Sequence, residues 1–383
     1  MRQSTVLEQL LKLFPRREFE VLAREHHSGR PLRRTRHWDQ FVALISAQIA
    51  GHHSLREIDQ CGRAHAQHLQ TFQCRPMTRA TLARHNRDQP WQFYQALFGA
   101  LLERCQRFKG HRKLPVEQKI VSIDSTTILL CLSLSPWASY QRKQGAIKVH
   151  VSLDHEMWLP EFVTITEGRR SDQHVVEHVP LIPGTVYVFD RGYCDYAWFN
   201  RLTQNGCPFV TRAKKNVNYR VVQDRPLEPD SAILADQVIR LTGNKGPRHR
   251  DPLRRIVLFD DVKQRTLVFM TNQLNWPARV VAAIYKERWQ IELFFKWLKQ
   301  NMKIKRFIGT SANAVMTQIW CALVTYLLVA FMKLSHKLDP GMMHLLRLIR
   351  ACLFERRSLM EIATGPPGPL TPISLSQLEL ALP

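Results

Sequence analysis

Near residue 118 the periodicity of this chain changes, and that change limits the folds open to it. Before it, leucines recur at helical spacing from Ser4 to Leu13 and an amphipathic pattern runs from Trp38 to Ile49. After it come β-branched and aromatic runs at Lys119 to Cys131, Ala146 to Leu153, Glu161 to Thr166, Gly184 to Phe189 and Pro208 to Thr211. Helical segments are expected near Asp172 to His178 and from Tyr196 to Gln204, the latter closing at Asn205-Gly206. Three strands, a helix, a strand, a helix and a strand make an α/β order whose fourth strand can lie beside its first.

That pairing has a chemical consequence. Asp124 sits among apolar and hydroxyl neighbours in Val121-Ser122-Ile123-Asp124-Ser125-Thr126-Thr127. A lone Asp in a core strand is costly unless it is paired or bound to metal. Asp190 ends the expected fourth strand, in Asp190-Arg191-Gly192-Tyr193. With the first and fourth strands adjacent, the two carboxylates meet at one edge of the sheet. Acids from separate elements converging on cations about 3.5 to 4 Å apart are how a two-metal phosphoryl-transfer site is assembled.

Alternating segments between about 214 and 276 read as a mostly β insertion, with a Gly- and Pro-rich surface loop at Thr242 to Pro252. A long helix is expected to start near Pro277. Within it, Tyr285, Arg288, Trp289, Glu292 and Lys299 fall on one face by helical spacing. That face holds one acid among cations and rings, which suits a metal ligand working against a phosphate backbone and unpaired bases, although a surface helix with ion pairs has the same pattern. Basic residues Lys303, Lys305 and Arg306 follow, then an apolar helix over 311 to 332, a helical tail and a Pro-rich, linker-like piece from Gly365 to Pro372.

The formal net charge of +23 over 383 residues points to a polyanionic partner, nucleic acid first. Lys and Arg are spread along the whole length, so a basic surface tracking a duplex is expected rather than a detachable arm. The 45% hydrophobic content supports real cores in two or three domains. Met1 to Pro15 lacks the apolar core of a signal peptide, and Ile319 to Met332 is shorter than the roughly 20 residues a bilayer span needs, so a cytoplasmic location without membrane integration is expected. The eight cysteines include no CxxC pair. Cys61, His65, His68 and Cys74 cluster, but their spacing matches no familiar zinc finger. Segments starting at Ser54 and at Thr78 or Thr81 read as two short helices. With Arg79, Arg84, Asn86 and Arg87 exposed, the pair would suit major-groove insertion.

Asp124 within Ile-Asp-Ser-Thr, Asp190 within Asp-Arg-Gly-Tyr, and Tyr285, Arg288, Glu292 and Lys299 in the order Tyr-x2-Arg-x3-Glu-x6-Lys together resemble the DDE transposases of bacterial insertion sequences, and among them the insertion-sequence-four family. The resemblance implies an α/β chain. A helical N-terminal DNA-binding domain (1–115) would precede a ribonuclease H-like core in two parts (116–213 and 277–335), split by a β-rich insertion (214–276) and followed by a helical C-terminal region (336–383). It further implies that Asp124, Asp190 and Glu292 bind two Mg2+ (or Mn2+) ions, and that Tyr285, Arg288 and Lys299 grip phosphates near the element's end. Trp289, beside Arg288, becomes a candidate for stacking on an unstacked base, with Trp276 a second. The implied partners are the terminal inverted repeats and target DNA, in a homodimer or higher multimer associated with the nucleoid.

Two rival readings keep the fold. A DNA-binding regulator derived from a transposase would do no chemistry, but gains nothing from three mutually repelling carboxylates around an empty site. A ribonuclease H-like nuclease would hydrolyse without joining. Other acids of the core, Asp154, Glu167, Asp172 and Asp195, are set apart from the triad, with capping or solvation the expected role of Asp154 and Asp172. Lys148 and His150, two apart on a strand, share a face and can approach the site or simply occupy a partly exposed sheet.

Overall fold

A computed structural model describes residues 4–110, 114–130, 139–141, 144–227, 232–243, 246–301 and 307–364. The expected basic cluster at 303–306 and the Pro-rich piece at 365–372 lie outside the described residues. The chain divides into two compact units, one drawn from Met1–Cys105 and Met316–Pro383 and the other from Gln106–Val315.

The first unit is helical. Its elements are α1 (Val6–Leu11), α2 (Arg16–Glu25), α3 (His37–Ala50), α4 (Leu55–Ala64), α5 (Ala66–Thr71), α6 (Arg79–Asp88) and α7 (Gln92–Cys105). Ser54 and Thr78 cap α4 and α6, each hydroxyl accepting from the backbone N–H three residues on. The major-groove reading of that pair needs correction: α5 intervenes, and Asn86 is buried, its amide oxygen accepting from Gln40 at 2.9 Å. Arg79, Arg84 and Arg87 are exposed. Among Cys61, His65, His68 and Cys74, the His65 ring stacks on Phe354 at 3.8 Å and the Cys74 thiol is buried. That cluster holds no group of three His, Cys, Asp or Glu side chains already placed to surround a metal ion.

The second unit is built on one ten-stranded sheet: β1 (Ile120–Leu130), β2 (Ser139–Gln141), β3 (Gln144–Asp154), β4 (Leu159–Glu167), β5 (Val186–Phe189), β6 (Phe209–Arg212), β7 (Tyr219–Asp224), β8 (Ile233–Leu241), β9 (Leu253–Asp260) and β10 (Arg265–Thr271). The strand order is β2-β3-β1-β5-β6-β10-β9-β8-β7, with β4 on β3. As the sequence order implies, β5 lies parallel to β1, and β6 lies parallel to β5. Every other pairing is antiparallel, so the segment 214–276 extends the same sheet through β10 to β7. In place of a helix near Asp172 to His178 there are two 3-10 turns, Asp172–His174 and Val176–His178. His174 and His178 leave too few apolar positions at helical spacing to bury a longer one.

Alternation along β1 and β5 sorts their side chains onto two faces. Val121, Ile123, Tyr187 and Phe189 pack with Trp198, Phe199 and Leu202 of α8 (Tyr196–Gln204). Ile120, Val186 and Val188 pack on the opposite face with Val281 and Ile284 of α9 (Ala278–Glu287). The single helix expected after Pro277 is two: α9 ends at Glu287, Arg288 forms the joint, and α10 runs Trp289–Asn301. At the joint the hydrogen bonds tighten to three-residue spacing, Arg288 N–H to Tyr285 at 3.1 Å and Ile291 N–H to Arg288 at 3.2 Å.

The apolar segment read as 311–332 is α11 (Ala312–Ser335), long and apolar enough to cross a membrane by length and composition, yet 89% buried inside the protein over its most apolar stretch. Within the helical unit, Trp320 stacks on Trp91 at 6.4 Å and meets Phe98 edge-on at 5.3 Å. The last helices are α12 (Met342–Ala351) and α13 (Leu359–Thr364). α1 is tied to the segment between α12 and α13: Val6 and Leu7 N–H groups donate to Glu355 and Leu353 carbonyls at 3.1 and 2.9 Å.

Candidate active site

Register and parity bring the two aspartates together. Ile123 stands opposite Phe189 in the parallel pair, so Asp124 and Asp190 follow side by side. Both continue the even-numbered face, the side covered by α9, and Asp190 is still extended at φ −80° and ψ 173°. From α10, which packs on β1, Glu292 joins them.

One guanidinium serves this group. Arg288 donates to Asp124 Oδ2 at 3.0 Å and to Glu292 Oε1 at 2.5 Å. Backbone N–H groups complete the hold: Ser125 donates to Asp124 Oδ1 at 2.8 Å, and Gly192 donates to Asp190 Oδ1 at 2.7 Å. Glycine is required there, because a Cβ at Gly192 would lie 2.9 Å from that Asp190 oxygen. Burial pushes the Asp124 carboxyl up to about 7, and the charges of Asp190 and Glu292 add to the rise against the Ser125 N–H and Arg288. Arg288 thus pairs with two of the three acids, Asp124 and Glu292.

Asp124 and Glu292 open onto a cleft of about 440 Å³ lined also by Ser125, Thr126, Phe295, Lys296, Lys299 and Gln300. Tyr285 packs its ring on Phe269 at 5.1 Å and lies under the Arg288 guanidinium at 5.7 Å. Trp289 is 56% exposed, next in the chain to the half-buried Arg288. Trp276 packs against the α9-side core and its carbonyl accepts from Arg254. The structure thus brings Asp124, Glu292 and Lys299 to one cleft, with Arg288 between the two acids, Asp190 at the neighbouring strand end and Tyr285 packed on Arg288.

The other acids divide. Asp195 caps α8, accepting from Ala197 N–H at 2.9 Å. Asp154 is buried beside Lys119 at 3.4 Å and accepts from Glu156 N–H. Asp172 departs from its expected capping role: Ser171 caps the turn, and the Asp172 carboxylate reaches Ser125 Oγ at 3.0 Å and Lys148 Nζ at 3.3 Å.

A second set of residues was not singled out in the sequence. Arg191, Arg212, Lys214, Lys215 and Arg255 line a groove of about 240 Å³ with Tyr219, whose ring lies 5.2 Å under the Arg255 guanidinium. None of the five has a carboxylate within ion-pair distance among the described residues. The available signal was the Arg-Ala-Lys-Lys run at 212–215 and the Arg directly after Asp190.

Three hard carboxylate donors with no thiolate among them suit Mg2+ or Mn2+. As the side chains stand, Arg288 occupies the space between Asp124 and Glu292, so an ion shared by them requires that guanidinium to withdraw.

Residues 115–328 match the family described as Transposase DDE domain. A protein named as transposase y4zB of Sinorhizobium fredii is 34% identical over 296 residues, covering 75% of this chain and 80% of its own. The chain belongs to the DDE transposases. A transposase for insertion sequence element IS5377 of Geobacillus stearothermophilus is 29% identical over 66% of this chain and 67% of its own. One for element IS4SA of a Synechocystis species is 25% identical over 63% and 68%. Residues 2–72 match a domain of unknown function, DUF4372. This transposase acts on DNA, and enzymes of its family use divalent metal ions.

Proposed function

We propose that this transposase mobilises a bacterial insertion sequence of the insertion-sequence-four type, and that Asp124, Asp190 and Glu292 are its catalytic carboxylates, set on a ribonuclease H-like core. The observation that carries the reading is the convergence of Asp124, within β1, with Asp190, just past the end of the parallel β5, and Glu292 from α10, with Arg288 bonded to Asp124 and Glu292 beside an open cleft. Two Mg2+ or Mn2+ ions held by these three acids would activate a water or 3′-hydroxyl and stabilise the leaving oxygen.

The chain's own residues supply the rest. Arg288 offers a planar fork to a phosphate and Lys299 a point charge from the cleft wall. Tyr285 supports Arg288 from behind, and exposed Trp289 offers a ring to an unstacked base. The groove at Arg191, Arg212, Lys214, Lys215 and Arg255 extends the positive surface for the backbone beyond the scissile phosphate. The terminal inverted repeats and the target are the DNA partners, brought together by a homodimer or larger assembly in the cytoplasm, at the nucleoid.

The test is excision. A plasmid carrying the inverted repeats that flank this reading frame, incubated with the protein and Mg2+, should release the linear element, and EDTA should prevent it. Binding of the repeats with no Mg2+-dependent strand cleavage would instead support a silent regulator.

A further inference from the structure

On the face of the sheet opposite the triad, a second polar group touches both of the segments that carry Asp124 and Asp190. Ser125 follows Asp124 and points to that opposite face, where its hydroxyl donates to Asp172 Oδ1 at 3.0 Å. Ser125 stands across from His150 in the β1–β3 pair, and Lys148 lies two residues away on the same face. Lys148 Nζ donates to Asp172 Oδ1 at 3.3 Å and to the Arg170 carbonyl at 3.0 Å. On its other side, Asp172 borders the turn after Asp190: a Cβ on Gly192 would sit 3.7 Å from Asp172 Oδ2 and 2.9 Å from Asp190 Oδ1. Tyr193 of the same turn meets His150 Nδ1 at 3.4 Å, and His150 Nε2 bonds Thr166 Oγ1 at 2.9 Å.

Local needs do not account for this carboxylate, since Ser171 already caps its turn. A fourth acid this close to the triad would add to its repulsion unless neutralised, and Lys148 supplies the counter-charge from the same face. The side chains of Asp172 and Lys148 are 26% and 18% exposed, enclosed enough to hold one arrangement.

We propose that Asp172, neutralised by Lys148, is a positioning residue that fixes the spacing of Asp124 and Asp190 by gripping the residue after the first and bordering the turn after the second. It acts through the backbone of the two ligand-bearing segments and does not touch DNA. The proposal rests on the reading of the triad as the metal site.

The experiment is a Mn2+ titration of the full chain followed by electron paramagnetic resonance, with thermal unfolding in EDTA alongside. Asp172→Ala and Lys148→Ala should each weaken Mn2+ binding about 10- to 100-fold, the usual range for groups that orient metal ligands. The double variant should be no weaker than the worse single one, because the two act as one unit. Asp172→Asn retains the shape and an acceptor for Ser125, and should fall between wild type and Asp172→Ala, which keeps the test open if the alanine variant does not fold. Mn2+ affinity within twofold of wild type in the folded Asp172 variants, or the same Mn2+ loss matched by an equal loss of thermal stability, overturns the proposal. Glu292→Gln separates the two levels. If it loses Mn2+ while the Asp172 variants do not, only the positioning role fails; if it too binds Mn2+ normally, the triad reading fails with it.

Discussion

Two arginine–carboxylate groups on one sheet differ in how fully their arginine is satisfied. Near the middle of the β-extension, Arg254 forks onto Asp236 at 2.7 and 2.5 Å, with both side chains at most 6% exposed and the remaining donors on the Leu274 and Trp276 carbonyls. Arg225 Nε also lies 3.8 Å from the Asp236 carboxylate, and every nitrogen of the Arg254 guanidinium has an acceptor. At the other end of the sheet, Arg288 divides itself between Asp124 and Glu292 while Asp190 stands alongside, its Oδ1 held only by a backbone N–H. The first arrangement satisfies every nitrogen of its arginine, whereas in the second Arg288 Nε is buried without an acceptor among the described residues and two of the acids line an open cleft. What sets the candidate site apart is this incomplete satisfaction, since arginine pairing is common to both.

The contrast can be broken most forcefully by exchanging the roles. Asp124→Asn, Asp190→Asn or Glu292→Gln should each lower DNA strand cleavage by about a thousandfold or more, on the order of 4 kcal/mol of transition-state stabilisation, with the fold intact. Asp236→Ala should do the reverse, destabilising the protein by about 3–5 kcal/mol in denaturant titration by stranding Arg254 in the interior. If Asp236→Ala unfolded no more easily than Asp124→Asn, the distinction between the groups would be lost.

A third test uses a buried group that is balanced only when neutral. Burial, with His27 and His85 nearby, holds His37 down at about 4, against an ordinary value near 6.5. A depressed histidine leaves the unfolded chain binding more protons, so the stability it contributes is complete above about 6.5 and lost as the pH falls towards 4. His37→Gln should remove up to about 3 kcal/mol of that acid sensitivity, read from melting curves across this window. Unchanged acid sensitivity would place the titrating group elsewhere. The smallest effect is expected at the exposed ring: Trp289→Ala should weaken binding to DNA with an unpaired base at the cleavage position by about 1–3 kcal/mol and leave intact duplex binding unchanged.

Much of this was legible in the sequence where the determinants are local. The β-branched run around Asp124 and the strand ending at Asp190 gave the two elements, and parallel pairing of the first and fourth strands followed from their order. The helical spacing of Arg288 and Glu292 anticipated their contact, and that of Glu292 and Lys299 their place on one cleft. What escaped depends on distant partners or on single joints. Asn86 read as exposed because Gln40, which binds it, is 46 residues away. Asp172 read as a cap because Ser125 and Lys148 lie 47 and 24 residues from it. The break at Arg288 has no glycine or proline to announce it, and comes where the guanidinium is drawn to carboxylates on two elements. The basic groove at Arg212 to Lys215 and Arg255 forms only once β6, β7, β9 and β10 are neighbours.

The central claim, that three carboxylates form one divalent-metal site, is tested most directly by calorimetric titration of Mn2+ into the full chain bound to its terminal-repeat DNA. The account predicts two ions per protomer for wild type and fewer for Asp124→Asn, Asp190→Asn and Glu292→Gln alike. An unchanged stoichiometry and affinity in any one of the three would contradict it.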